Sequence, residues 1–129
     1  MRPRLSAAID DPLEDDIQIA IVDYLTLLAP TRGFLFFHVP NQALGKALTR
    51  GGLGRMARLK RMGLLPGVAD LVIDIRGRAH YLEVKRKKGR PSESQLEFRR
   101  RAEVNGSPYE VAHSFDEAVK ILQKWGIAP

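Results

Sequence analysis

Two β-rich runs, "GVADLVIDI" (67–75) and "AHYLEVK" (79–85), lie on either side of Arg76-Gly77-Arg78, and this closeness constrains the fold more than any other feature of the chain. A parallel pair needs a crossover of a dozen or more residues, so strands this close form an antiparallel hairpin. If Arg76 and Gly77 are the two turn residues, Ile75 faces Arg78, and the pairing runs back to set Asp70 opposite Glu83. Side chains alternate between the faces of a strand, which puts Tyr81, Glu83 and Lys85 on one side and Leu82 and Val84 on the other. Directly opposed Cβ atoms lie roughly 4.5 to 5.5 Å apart, close enough for two carboxylates to share a cation with an ammonium beside them.

That convergence points to chemistry. Two unshielded carboxylates at this separation repel, and one tends to hold a proton, whereas a divalent cation keeps both ionised. Asp and Glu are hard oxygen ligands suited to Mg²⁺ with waters and a substrate phosphate completing the shell. A neighbouring cation, Lys85, can stabilise charge building on a scissile phosphate and orient an attacking water. The spacing alone also fits an exposed Glu83–Lys85 pair with Asp70 capping a strand entrance. Against that stand Leu71, Val72, Ile73, Leu82 and Val84, apolar neighbours that look buried; charge inside such a sheet needs a reason.

Periodicity supplies the remaining elements. Ile17, Ala20, Ile21, Tyr24, Leu25 and Leu28 recur at helical spacing behind Asp11 and Pro12, predicting a helix over 12–29 that Pro30 stops. "FLFFHV" reads as a short buried strand ended by Pro40 and Asn41. The stretch 42–63 holds five glycines, with one helix expected over 53–62 and mobility around Gly51, Gly52 and Gly54. Ser92 and Gln95 form a capping-box pattern opening a helix to Asn105, with Gly106 as the stop. "PYEVAH" is a further strand. Ser114 and Glu117 repeat the pattern before a helix whose stripe is Phe115, Ala118, Val119, Leu122 and Trp125. The order α, β, loop or helix, β, β, α, β, α predicts an α/β sandwich, a central mixed β-sheet flanked by helices on both faces. The chain is expected to be one domain over 1–129, with 1–10 a candidate disordered tail.

Composition narrows the partner. The 129 residues carry a formal net charge of +6, and the pI is about 10.0. A basic small domain usually meets a polyanion, so nucleic acid leads. Lys46, Arg50, Arg55, Arg58, Lys60 and Arg61 fall in a stretch without an acid, and Lys85, Arg86, Lys87, Lys88 and Arg90 form a second cluster. Solvated surface is the competing reading of both. The absence of cysteine excludes disulfide frameworks, thiolate metal sites and cysteine nucleophiles, and suits a reducing cytosol. No stretch approaches the length of a membrane span.

"GLLPGVADLVI" (63–73) followed by "YLEVKRKKGRPSESQ" (81–95) resembles the virus-type replication-repair nuclease domain, VRR-NUC, a branch of the PD-(D/E)xK superfamily. The shared pattern is close to PG-x-PDL, then ExK, then G-R-x-S-x-x-Q. Here it is carried by Asp70-Leu71, Glu83-x-Lys85 and Gly89-Arg90-x-Ser92-x-x-Gln95, and the likeness extends from the first helix to "HSFDEA". The proline that usually precedes the aspartate is Ala69. The resemblance implies a restriction-endonuclease-like fold and a Mg²⁺- or Mn²⁺-dependent endodeoxyribonuclease. It implies a metal held by Asp70, Glu83 and the backbone carbonyl of Val84, with Lys85 as the catalytic lysine. It adds Gln95 and a first-helix acid, Glu14, for which Asp15 is a rival; Asp11-x-x-Glu14 also fits a capping box. Asn41 weakly matches a family asparagine.

Short stand-alone members of this family resemble phage-type Holliday-junction resolvases that act as homodimers, so branched DNA is the expected substrate and a homodimer the expected assembly. Lys60, Arg61, Arg86, Lys87, Lys88 and Arg90 are the candidate DNA-backbone contacts. The rival class is a non-catalytic basic nucleic-acid-binding module on the same fold. His38, His80 and His113 lack metal-ligand spacing and read as packing or strand-edge residues. Trp125, Phe34, Phe36 and Phe37 read as core.

Overall fold

The computed structural model describes residues 13–40 and 54–129. Asp11, Pro12, Asn41, Lys46, Arg50, Gly51, Gly52 and Leu53, to which the sequence assigned roles, lie outside the described residues. The elements run α1 (Glu14–Arg32), β1 (Leu35–His38), β2 (Leu71–Ile75), β3 (Arg78–Val84), α2 (Glu93–Val104), β4 (Tyr109–Ala112) and α3 (Phe115–Lys124). Residues 54–61 are also helical.

The hairpin forms in the expected register. Ile75 pairs with Arg78 and Leu71 with Leu82, so one further step sets Asp70 opposite Glu83. Arg76 and Gly77 both have positive φ, 54° and 81°, the pattern of a type I′ turn whose twist matches the strands. The sheet order is β1-β2-β3-β4, antiparallel except for the parallel β3–β4 pair. The parallel step is made through α2, as a crossover requires.

The alternation of β2 and β3 divides the core. Leu71, Ile73, Leu82 and Val84 face α1 and α3, joining Ile17, Ile21, Leu25, Ala118 and Leu122 in the larger apolar cluster. Each such Leu or Ile contributes about 1.5 to 3 kcal/mol by leaving water. On the opposite face Ala69 and Tyr109 pack with Phe98 and Ala102 of α2, and Tyr81 meets Phe98 edge-on at 4.8 Å. This second cluster is smaller; Glu83 lies on its side of the sheet beside Tyr109, whereas His80 packs against Trp125 on the side of the larger cluster.

Two expectations are corrected. Pro30 does not stop the first helix, which continues to Arg32. A proline near the C-terminal end costs little, and the stop comes from Gly33, whose φ of 70° is left-handed and whose N–H donates to the Ala29 carbonyl at 2.9 Å. Phe37 is not core. It is 50 % exposed, because β1 is an edge strand and α2 covers the far end of the sheet. Phe34 is buried and Phe36 partly so, as expected. The Ser92–Gln95 capping box forms in full. That of Ser114 forms by half: Ser114 accepts from the Glu117 N–H, but Glu117 turns back to the N–H and ring of His113. No helix among the described residues is long and apolar enough to cross a membrane.

Candidate active site

Asp70 and Glu83 face each other where the β2–β3 ladder opens. In the alternation of an antiparallel pair they occupy a non-hydrogen-bonded position, the narrower kind, in which side chains come closest. Oδ2 of Asp70 accepts the Val84 N–H at 2.8 Å. Tyr81 and Lys85 send their N–H groups to β4, so Val84 between them presents both its N–H and its carbonyl to the β2 side. The Val84 carbonyl is therefore on the Asp70 side of the strand, where the sequence resemblance put a ligand oxygen.

Glu83 is 2 % exposed, and its charge has to be answered by neighbours. Nε2 of Gln95 donates to its Oε2 at 3.0 Å, and the Tyr109 hydroxyl lies 3.5 Å from the same oxygen. Burial pushes the Glu83 carboxyl up to about 9, reinforced by its hydrogen bond to Asp70 and by the Asp70 charge; Lys85 pulls the other way. The Tyr109 hydroxyl is pushed up too, first by burial and then by Glu83. These effects favour the protonated form of Glu83, and a divalent cation at the site would oppose them.

The oxygen donors suit a hard cation of the Mg²⁺ or Mn²⁺ kind. Two carboxylates and one backbone carbonyl would form an open donor set, with room for waters and a phosphate. Among the described residues no group of three His, Cys, Asp or Glu side chains is placed to hold a metal ion.

Of the two candidate first-helix acids, Glu14 is the one in contact with the end of β3. Its Oε1 accepts the Arg86 N–H at 3.3 Å just beyond β3, and its charge acts on Glu83, whereas Asp15 is exposed. Lys85 is half-buried beside Glu83, and Arg86, Lys87, Lys88 and Arg90 are exposed in the loop that follows. Lys60 and Arg61 are exposed on the helical stretch 54–61, where Arg58 and Arg61 line a surface depression with Gly54, Ala57 and Met62.

Sequence reasoning missed three contributors. Gly67 has a φ of 82°, and a Cβ there would lie 2.2 to 2.7 Å from the backbone of Ser94 and Gln95, so only glycine lets the loop before β2 close on the start of α2. Tyr109 reads as ordinary strand aromatic until its partner on β3 is known. His38 reads as strand edge, yet its Nδ1 lies 2.8 Å from the Asp70 carbonyl. Only Gly67 carried a signal, its place in the PG-x-PDL-like run.

No protein-family model and no curated protein matches the sequence. Solved structures do. One described as a VRR_NUC domain superposes with a TM-score of 0.59 at 20 % identity, covering 87 % of this chain and 96 % of that one. Another, a VRR_NUC domain protein, gives 0.64 at 21 % identity and 89 % of each chain. The chain has the VRR-NUC fold. That fold is restriction-endonuclease-like, a mixed sheet with flanking helices, as the motif resemblance implied. Within the VRR-NUC fold, Asp70, Glu83, Lys85 and Gln95 meet on one face of the hairpin and Glu14 approaches from α1.

Proposed function

We propose that this protein is a Mg²⁺- or Mn²⁺-dependent endodeoxyribonuclease in which Asp70, Glu83 and the Val84 carbonyl hold the metal. The observation that carries the reading is the buried Glu83 carboxylate opposed to Asp70, with Lys85 next on the same face. A buried pair of acids is costly, and a divalent cation is the partner that turns it from a liability into a site.

Each side chain then has a task. Gln95 holds Oε2 of Glu83, whose carboxyl also hydrogen-bonds Asp70. The Val84 N–H fixes the rotamer of Asp70. Lys85 offers its ammonium to the scissile phosphate and to the water that attacks it. A bound divalent cation supplies positive charge against that phosphate and makes the attacking water more acidic. Glu14 adds negative charge from α1, and Lys60, Arg61, Arg86, Lys87, Lys88 and Arg90 grip the DNA backbone without reading sequence.

The preferred substrate is branched duplex DNA, and the active species is a two-fold homodimer in the cytoplasm of a bacterial or phage-infected cell. One domain of this size carries one site, and an isologous pair presents two sites related as the strands of a junction are related. Incubation with linear, nicked, flapped and four-way DNA, with Mg²⁺ and with EDTA, tests this, alongside light scattering at micromolar concentration. Metal-dependent paired cuts in the four-way substrate by a dimer are expected. A monomer that cuts linear duplex as fast as a junction removes the junction reading, and DNA binding without cleavage would make the chain a binding module.

A further inference from the structure

Asp70 stands one residue before β2, where the β1–β2 ladder has just closed on His38 and Leu71. A ligand at the mouth of a sheet should fray, yet the Asp70 carbonyl has both lone pairs filled. It accepts the Val39 N–H at 2.9 Å and lies 2.8 Å from Nδ1 of His38. A ring nitrogen that close to a carbonyl carries the proton, so Nδ1–H donates. Gln18 Nε2 lies 2.9 Å from the same Nδ1; that nitrogen cannot accept an amide N–H and also donate to the carbonyl, so the Nδ1–H tautomer requires the Gln18 amide to be turned with its oxygen toward the ring. Gln18 lies one turn after Glu14 on α1, so the contact runs from the helix bearing the first acid to the backbone of the second.

The geometry points to His38 as a positioning residue for the metal site: its Nδ1–H fixes the Asp70 carbonyl and through it the direction of the Asp70 side chain. Carbonyl orientation sets ψ at Asp70, and ψ sets where Cβ points relative to Glu83. The Val84 N–H then needs only to choose the rotamer. His38 touches no reacting atom in this role. The inference rests on the reading of Asp70 as a metal ligand.

Substitution at position 38 separates this from a packing role. Asparagine places an amide N–H where Nδ1–H stands, glutamine reaches only the Nε2 position, and alanine offers no donor. Mn²⁺ affinity, measured by titration calorimetry without DNA, should fall about tenfold in His38→Ala and His38→Gln, and stay close to the parent in His38→Asn. The carbonyl ¹³C shift of Asp70 in the metal-free protein should move in the first two variants and hold in the third. Parent-like affinity in His38→Ala, or an equal loss in His38→Asn, overturns the proposal, as does a carbonyl shift that moves without loss of affinity. A parent protein that takes up no Mn²⁺ overturns the metal reading itself and this role with it, and is told apart because the parent titration fails before any variant is compared.

Discussion

Gln95 serves two partners at once: its Nε2 donates to Glu83 at 3.0 Å while its Oε1 accepts the Ser92 N–H at 2.8 Å. The side chain that closes the capping box of α2 is therefore the one that orients the buried acid of β3. Helix start and candidate site are one hydrogen-bonded unit. Gln95→Glu keeps an acceptor for Ser92 but sets a carboxylate against Glu83, whereas Gln95→Ala removes both bonds. The alanine variant should lose about 1 kcal/mol of stability from the cap. The alanine variant should also bind Mn²⁺ about tenfold or more weakly. Urea unfolding and metal titration on the same preparations check the two parts separately.

The raised Glu83 carboxyl gives a pH signature. Its proton is held more tightly in the folded protein than in the unfolded chain, so its contribution to stability is fully present below the ordinary carboxyl value of 4.5 and is lost as pH rises toward about 9. Without metal, the melting temperature of the parent should fall across that window relative to Glu83→Gln. Mn²⁺ favours the ionised form, so binding at pH 7 should release about one proton, read from calorimetry in buffers of different ionisation enthalpy.

Much of this arrangement was legible because it is local. Arg76-Gly77 dictates the hairpin register, the register places Asp70 on Glu83, and Ser92-x-x-Gln95 announces both a cap and an orienter. What escaped was set by interactions between distant segments. His38 and Asp70 are 32 residues apart, Glu83 and Tyr109 are 26 apart, and neither pair has a spacing that announces it. Pro30 misled for a different reason: the penalty for proline is steep in a helix interior and small beside a C-terminal Gly33. Phe37 misled because apolar character does not reveal which strand lies at the sheet edge.

Gly67 should tolerate no side chain. Gly67→Ala places a methyl group on the Ser94 and Gln95 backbone at a positive φ. The expected loss is about 2 kcal/mol or more from strain and overpacking together. Metal affinity should drop as well, because α2 must move and Gln95 with it. Gly106→Ala, which meets nothing within 4 Å, is the control that carries the backbone strain without the clash.

The basic loop after β3 should report through salt. Replacing Lys87, Lys88 and Arg90 together should flatten the slope of log affinity for duplex DNA against log salt, by about 0.9 for each phosphate that is no longer neutralised. An unchanged slope would assign these exposed side chains to ordinary solvated surface.

Single-turnover cleavage of a four-way DNA junction by Asp70→Asn, Glu83→Gln and Lys85→Ala bears on the central claim most directly. Each folded variant should cut at least about a hundred- to a thousandfold more slowly than the parent in Mg²⁺, while the two carboxylate variants still bind the DNA, since removing negative charge does not weaken attraction for phosphate. Near-parental, metal-dependent cutting by any one of these folded variants would contradict the assignment of the site.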